Sequence, residues 1–334
     1  FEGGQRVPCV MWGPGRIPAG TECNELMATL DVLPTIAALT QSSLPADRKI
    51  DGLDASRLLD ASGNTPRDEF LHYTSQGNLE GLRDAVAGLP ADRAAVWSAR
   101  LDEAEANPPS HFSKNGWVVQ ALQGAWSAIS RTPVPVEDPA AGTFAAQHLQ
   151  HALEGAVRGG RDTDTVAAIA GGLLGARWGA SAVPAPWRRI VHGWPGIRGR
   201  HLIRLGVLAA RGGRTDSSGW PSQQVMDYSD YGDTSVLAVH PHDVGVHLAG
   251  VSALRGLPVG VDAVVSLCRL GGDEAPAVGV NPGDHVEVWL VDSEHPGKNP
   301  NLDFVLYDAA RVIAALRAEG RTVLVHCVQA VSRT

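Results

Sequence analysis

Apolar residues recur at helical spacing through most of the chain, whereas near its end they form short unbroken runs. A three- to four-residue period indicates an amphipathic helix, and a short apolar run between turn residues is typical of a buried strand. The pattern predicts helices over residues 25–39, 92–105, 115–126, 144–157 and 303–320, and strands over 262–268, 285–291 and 321–326. The last four elements run strand, strand, helix, strand, which predicts an α/β sheet after a helical middle.

A polar phrase precedes a further helix that is rich in glycine and alanine. Asp162 and Asp164 are followed by Thr165, and the apolar sequence begins at Val166. Two carboxylates and a hydroxyl are hard oxygen ligands suited to Mg²⁺. The alternative is structural, since Asp and Thr commonly cap the first turn of a helix.

The whole phrase over residues 159–179 resembles the last signature of the ADP-ribosylglycohydrolase family. A Gly-Trp helix and a second helix precede it in the family's order, so the resemblance covers residues 89–210, the C-terminal half of an all-α domain. It implies that Asp162, Asp164 and Thr165 bind metal, and that the complete domain holds two Mg²⁺ ions. Such ions would bind ribose hydroxyls and orient a water near the anomeric carbon.

The same resemblance is incomplete in one respect. The family's first ligand cluster, an acidic Gly-Asp-Asp-Thr type of phrase, is not found in this sequence. Because the sequence supplies the ligands for only half of a dinuclear site, we expect this chain to bind metal weakly.

Residues 1–83 contain another set of phrases, at 1–12, 50–54, 70–73 and 77–83. Their order resembles the C-terminal part of the sulfatase family, which implies a small α+β subdomain. The family's modified nucleophile and metal carboxylates lie upstream of the matching part, so we interpret Arg6 and His72 as structural. An Ala-rich stretch replaces the sulfatase pattern afterwards, which predicts a junction between Arg83 and Ala91.

The last predicted strand leads into His326-Cys327 and, after five further residues, Arg333-Thr334. Loop amides in this position can form an anion-binding nest, and Arg333 can bind phosphate in a bidentate manner. Both lower the pKa of Cys327, and its thiolate can then attack phosphorus to form a phosphocysteine. The alternative is a buried thiol at a strand end.

This motif resembles the dual-specificity branch of the protein tyrosine phosphatases. The resemblance implies that Asp292 is the general acid and that His326 and Thr334 belong to substrate binding, with Thr334 also donating to the leaving thiolate. Ala330 stands where the family has Gly, which predicts strain in a left-handed position. Because no helix follows Thr334, we expect a frayed loop in which Cys327 keeps a pKa near ~8.5, without phosphatase activity.

Other polar clusters favour structural interpretations. His240, His242 and His247 have ligand-like spacing, but Pro241 between the first two favours a loop with surface histidines. Trp187, His192 and Trp194 are interpreted as packing residues, and the acidic residues at 102, 103 and 105 as a solvated helix face.

Composition narrows the cellular context. The 334 residues carry a net charge of −8 and lack a basic run, which argues against nucleic acid as a partner. No apolar stretch approaches the ~20 residues of a membrane span, and no signal peptide is recognisable. The four scattered cysteines favour a reducing compartment, so we expect a cytoplasmic protein, although the sulfatase-like segment alone leaves export open.

Together these patterns predict a mixed multidomain chain with boundaries at 1–83, 84–213 and 214–334. By resemblance it is a hydrolase for ADP-ribosylated and phosphorylated substrates, fragmentary at both ends. Alternatives are a sulfuric ester hydrolase fragment and a catalytically incomplete fusion or binding remnant. The first segment looks foreign to the others, as in an unusual gene fusion or an artificial join, so we expect it to pack little against them.

Overall fold

A computed structural model describes residues 11, 13, 15, 17–23, 25, 27–28, 31–44, 52–59, 63–66, 80–295 and 297–334. The chain divides into two compact units, Gln5–His72 and a larger one that contains Tyr73–Thr334. The sequence phrases at 1–8, 50–51, 70–73 and 77–79, with Arg6 and His72, lie outside the described residues.

The smaller unit contains helix α1, Val32–Thr40. The helix predicted over 25–39 therefore begins seven residues late, because Pro34 lacks an N–H and is tolerated only in a first turn. The buried carboxylate of Asp31 accepts the amides of Ala28 and Leu53, both at 2.8 Å. These bonds fix the chain ahead of the helix.

The larger unit begins with seven described helices. They are α2 Glu80–Ala87, α3 Ala91–Ala106, α4 Val118–Arg131, α5 His148–Arg158, α6 Thr163–Trp178, α7 Ala185–Ile190 and α8 Gly199–Ala210. Helices α4, α5 and α6 pack against one another. Small buried residues such as Ala125, Ala152 and Ala170 let their backbones come close. This part is helical as predicted, except for one short hairpin.

The range predicted for a junction, Arg83 to Ala91, covers the end of α2 and the short turn before α3. Leu82 and Val86 of α2 pack in one apolar cluster with Phe112 and Trp126. Because these side chains are buried together, α2 belongs to the helical part, and the division between the two compact units lies earlier, between residues 72 and 73.

The acidic face of α3 is not simply solvated. Arg83 forms salt bridges of 2.8 Å with both Asp102 and Glu105. The indole nitrogen of Trp126 also donates to Glu105 at 2.9 Å. Gln123 of α4 donates to Glu103 at 2.8 Å, so all three acids tie α3 to its neighbours α2 and α4.

A five-stranded sheet follows in the order β3-β4-β7-β5-β6. Its strands are β3 Leu237–His240, β4 Asp243–Ala249, β5 Ala263–Ser266, β6 His285–Glu287 and β7 Val323–His326, and helix α9, Leu302–Ala318, connects β6 to β7. Strands β3 and β4 are antiparallel, and the other pairs are parallel. A small hairpin of β1 His192–Gly193 and β2 Ile197–Arg198 precedes it.

The three predicted strands are confirmed, but with shorter bounds. The hairpin β3-β4 was not predicted: residues 240–247 were interpreted as a loop, whereas His247 lies within β4. No described helix is long and apolar enough to cross a membrane.

The helical part and the sheet share one apolar core. Phe144 in the helical part contacts Phe304 of α9, with ring centroids 5.9 Å apart. Asp308 of α9 accepts the amide of Ala185 at 2.8 Å and pairs with Arg188 at 3.3 Å. The stretches predicted as separate domains, 84–213 and 214–334, therefore lie in one compact unit.

Candidate functional site

The first candidate site is the turn that leads into α6. Gly160 and Arg161 both have positive φ, 80° and 64°. The buried side chain of Asn115 holds this turn: its Nδ2 donates to the Gly160 carbonyl at 2.9 Å, and its Oδ1 accepts from the Asp162 amide at 3.2 Å. Sequence analysis missed this role of Asn115, because a contact across about 45 residues leaves no spacing signal.

The carboxylates of Asp162 and Asp164, the carboxylate pair, lie side by side at the helix start. Asp162 precedes the first helical residue, yet its side chain accepts no helix amide, so the capping alternative does not account for it. A hydrogen bond with the Asp162 carboxyl is the main cause that lowers the pKa of Asp164. Among the described residues neither carboxylate forms a salt bridge.

The oxygens of the carboxylate pair are suitable ligands for a cation, but the pair supplies fewer ligands than a complete metal site needs. Thr165 is exposed in the same first turn. No group of three or more His, Cys, Asp or Glu side chains arranged to hold a metal occurs within the described ranges. The predicted ligands in this part of the chain thus amount to two acids and a hydroxyl.

The second candidate site is the thiol loop, residues 327–334, which follows β7. Cys327 is almost fully buried. Burial by itself would raise the pKa of its thiol. The Thr334 side chain and the amides of Arg333, Val331 and Gln329 oppose this effect and lower the pKa to about 7.

The expectation of a frayed loop with an ordinary thiol is therefore wrong. The loop turns back over Cys327, so that alternate amides face the sulfur and stabilise its anionic form. Ala330 adopts φ 57°, the left-handed conformation for which strain was predicted. A residue with a Cβ carries a modest energetic cost there.

Arg333 and Asp292 meet at the mouth of this loop. The Arg333 guanidinium donates to the Leu290 carbonyl at 2.9 Å and lies 3.5 Å from an Asp292 oxygen. The Ser332 hydroxyl donates to the same oxygen at 3.0 Å. The predicted general acid thus lies beside the loop that carries both the predicted nucleophile and the predicted phosphate-binding arginine.

Two donor atoms in this loop are buried without a hydrogen-bond partner among the described residues. They are the Nε of Arg333 and the hydroxyl of Thr334, which lies near the Cys327 sulfur without forming a regular hydrogen bond to it. Unpaired buried donors are costly, and an anion above the sulfur would satisfy them.

His326 does not face the mouth of the loop. The sequence assigned it to substrate binding, but its ring is fully buried. It lies 2.6 Å from the Ser266 hydroxyl and contacts the Cys327 carbonyl on the inner side of the loop. Burial lowers its pKa to about 4, so the ring is neutral.

The other predicted clusters lie away from both sites. His240 and His242 make an edge-to-face contact at the β3-β4 turn, with ring centroids 5.8 Å apart. Trp187 packs against the shared core as expected. Trp194 does not pack: its side chain is 91% exposed on the β1-β2 hairpin.

Comparison with known proteins gives two kinds of similarity. The ADP-ribosylglycohydrolase family model matches residues 36–216, which is more than half of the chain. The match begins well before the residues at which we recognised the resemblance. It also overlaps the stretch that we interpreted as sulfatase-like.

Sulfatases match over shorter lengths. Arylsulfatase G of Canis lupus familiaris is 43% identical over 75 residues, 22% of this chain and 14% of that protein. Steryl-sulfatase of Rattus norvegicus is 38% identical over 109 residues, which cover 33% of this chain and 18% of that protein. Arylsulfatase A of Bos taurus is 35% identical over 120 residues, which cover 34% of this chain and 22% of that protein.

The chain thus spans under a quarter of the length of these sulfatases. No solved structure matches it. The family match, in contrast, contains α6 and both acids of the carboxylate pair. The chain therefore belongs to the ADP-ribosylglycohydrolase family and carries, in addition, a short stretch of sulfatase similarity.

Proposed function

We propose that this chain is a hydrolase with two chemically separate centres. The carboxylate pair with Thr165 is the metal-binding part of a centre that releases ADP-ribose from an ADP-ribosylated protein or small molecule. The thiol loop is a centre that hydrolyses phosphate monoesters. The first centre is supported by the family match, and the second by the geometry around Cys327.

The observation that favours a metal at the first centre is the contact between two acids without a basic partner. Two adjacent carboxylates repel each other and must share a proton unless a cation neutralises them. Asp162, Asp164 and Thr165 would hold Mg²⁺, which when bound supplies charge stabilisation and an activated water. Asn115 keeps the turn in the conformation that brings the two acids together.

Thermal unfolding in a Mg²⁺ titration tests this centre without an activity assay. A ligand that binds only the folded state stabilises it, by about 2.7 kcal/mol at a hundredfold excess over its Kd. We expect Tm to rise with Mg²⁺, and the rise to disappear in Asp162→Asn and Asp164→Asn. Asp92→Asn, which removes an exposed acid from the first turn of α3, is the matched control. An equal rise in all four proteins would contradict the assignment.

The second centre is carried by one observation, the loop amides that face the buried sulfur of Cys327 and lower its pKa to about 7. About half of this thiol is therefore ionised at neutral pH, and the thiolate is the nucleophilic form. The amides that lower the pKa form a cradle for an anion of phosphoryl size. The free Nε of Arg333 is a further donor for it.

The reaction that these residues support has two steps. The Cys327 sulfur attacks phosphorus, the S–P bond forms, and the ester P–O bond breaks while Asp292 gives its proton to the leaving oxygen. A water then attacks phosphorus, Asp292 takes a proton from it, and the S–P bond breaks. The Thr334 hydroxyl stabilises the departing thiolate, and Arg333 holds the phosphoryl oxygens through both steps.

Hydrolysis of an aryl phosphate tests this centre. We expect turnover that is lost in Cys327→Ser and retained in Cys23→Ser, since Cys23 is an exposed thiol of the smaller unit. The expectation reverses the one drawn from sequence, because the loop amides face the sulfur. Turnover of equal size in Cys327→Ser would contradict a thiol mechanism. Hydrolysis of an aryl sulfate instead would favour the sulfuric ester alternative.

A further inference from the structure

A chain of buried side chains crosses the sheet behind the thiol loop. The Ser266 hydroxyl on β5 lies 2.8 Å from His285 Nε2 on β6 and 2.6 Å from His326 Nε2 on β7. The Ala277 amide donates to His285 Nδ1 at 2.9 Å, and His326 Nδ1 lies 3.1 Å from the Cys327 carbonyl oxygen. All three side chains are buried.

The donors and acceptors allow one assignment of protons. A backbone N–H can only donate, so His285 Nδ1 accepts from Ala277, and the neutral ring carries its proton on Nε2. That proton goes to the Ser266 oxygen, whose own hydrogen then points to His326 Nε2. His326 consequently carries its proton on Nδ1 and donates it to the Cys327 carbonyl. The chain is fully satisfied and has a single direction.

Both imidazoles remain neutral in this arrangement. Burial and, to a smaller extent, the neighbouring His326 and Arg200 lower the pKa of His285 to about 3. Burial likewise lowers the pKa of His326 to about 4, although its bond to the Cys327 carbonyl acts in the opposite direction. The network therefore keeps one protonation state throughout the neutral range.

The end of the network lies at the base of the thiol loop. Three successive carbonyls there accept hydrogen bonds from groups other than the sulfur. The His326 carbonyl accepts the Leu267 amide at 2.7 Å, and the Val328 carbonyl accepts the Val251 amide at 3.0 Å. Between them, the Cys327 carbonyl accepts His326 Nδ1. The bonds to the His326 and Val328 carbonyls are backbone ladder contacts. The bond to the Cys327 carbonyl, in contrast, comes from the His326 side chain, and Ser266 and His285 determine the tautomer of that ring.

We propose that Ser266 and His285 are positioning residues of the thiol centre. They fix the ring of His326 and, through it, the Cys327 carbonyl, so that the amides of the loop rather than a carbonyl dipole face the sulfur. A carbonyl oxygen turned toward the thiolate would destabilise it, whereas amides stabilise it. This inference rests on the proposed thiol centre, but its test does not require turnover.

The rate of Cys327 alkylation by iodoacetamide, followed by mass spectrometry of its peptide across pH, reports the ionised fraction of this thiol. In the unmodified protein the midpoint should lie near pH 7. In Ser266→Ala it should rise by about one unit, which slows alkylation at pH 6 about tenfold. Ser266→Thr should restore it, and Ser127→Ala, which removes a hydroxyl buried in the helical part, should leave it unchanged.

Other ionisable groups around the sulfur stay the same in these variants. Cys268 has its pKa raised by burial to about 12 and is neutral, and Arg333 pairs with Asp292 at 3.5 Å. A folded Ser266→Ala protein whose Cys327 midpoint stays near 7 would overturn the inference.

If Ser266→Ala does not fold, His285→Leu provides the test. A leucine side chain can neither accept from Ala277 nor donate to Ser266, so the direction of the chain is lost and the midpoint should again rise. An unchanged midpoint in that variant would overturn the inference equally. A midpoint near 7 without any turnover would instead reject the phosphatase proposal and leave the positioning role standing.

Discussion

Ala330 is the residue at which the thiol loop stores strain. Its φ of 57° places it in the left-handed region, where a Cβ costs roughly 1–2 kcal/mol and glycine costs nothing. We expect Ala330→Gly to raise the free energy of unfolding by about 1 kcal/mol in chemical denaturation. Ala315→Gly, at an exposed position inside α9, should lower it by about the same amount. Destabilisation by both substitutions would show that the loop is not held in this conformation.

The two buried histidines predict how stability depends on pH. Their pKa values lie at about 3 and about 4 in the folded protein, below the ordinary value of 6.5. The unfolded chain therefore binds more protons between pH 6.5 and 4, and stability must fall as pH falls through that window. From pH 7 to 5 we expect a loss on the order of 2–4 kcal/mol from this pair.

Urea denaturation at several pH values checks this dependence. His285→Gln removes one of the two titrating rings, so its free energy of unfolding should fall less steeply with pH than that of the unmodified protein. The same slope in both proteins would mean that His285 is not held neutral in the folded state.

The role of Asn115 at the metal site could not be predicted from the sequence. The Asp-x-Asp-Thr phrase was recognisable because its ligands are adjacent in sequence, whereas the residue that holds their turn lies 45 and 47 residues away. We expect Asn115→Ala to cost about 1–3 kcal/mol in stability, because two backbone groups lose their buried partner.

The same substitution should also weaken the Mg²⁺-dependent rise in Tm. Asn107→Ala removes an amide that bonds within its own helix end, and serves as control with a smaller loss and an unchanged Mg²⁺ response. If Asn115→Ala keeps the full Mg²⁺ response, the turn does not depend on this side chain.

At the scale of elements, buried strands were predictable and the exposed hairpin was not. Strands β5 and β7 are buried on both faces, so their sequences are unbroken apolar runs. Strand β3 has a comparable apolar run, Leu237–Val239, but it lies mostly exposed at the sheet edge, and the loop interpretation came from Pro241, which follows His240. The apolar run before Cys327 was enough to predict that this residue begins a loop after a strand. The orientation of the loop amides depends on tertiary structure, and residue spacing in the sequence does not reveal it.

At the scale of the whole molecule, the helical part and the sheet form one unit. Sequence resemblance divides them because each stretch resembles a different family, yet packing joins them through α9. Asp308 on this helix binds Arg188 and the Ala185 amide, and removal of one partner from a buried pair leaves the other uncompensated. We expect Asp308→Ala to cost about 3–5 kcal/mol.

The free energy of unfolding, measured in denaturant by circular dichroism, checks this contact. Asp303→Ala in the first turn of the same helix should cost less than about 1 kcal/mol, because Asp303 is exposed. Equal effects of the two substitutions would indicate that the helical part and the sheet are not coupled through α9.

The two-centre account depends most directly on Cys327 as a nucleophile, and rapid quenching during turnover of an aryl phosphate tests that step. Mass spectrometry of the peptide that contains residues 322–333 should then show a phosphoryl group on the Cys327 sulfur, and Cys327→Ser should show none. The account is contradicted if the unmodified chain hydrolyses the ester without a phosphocysteine, or if the phosphoryl group appears on another residue.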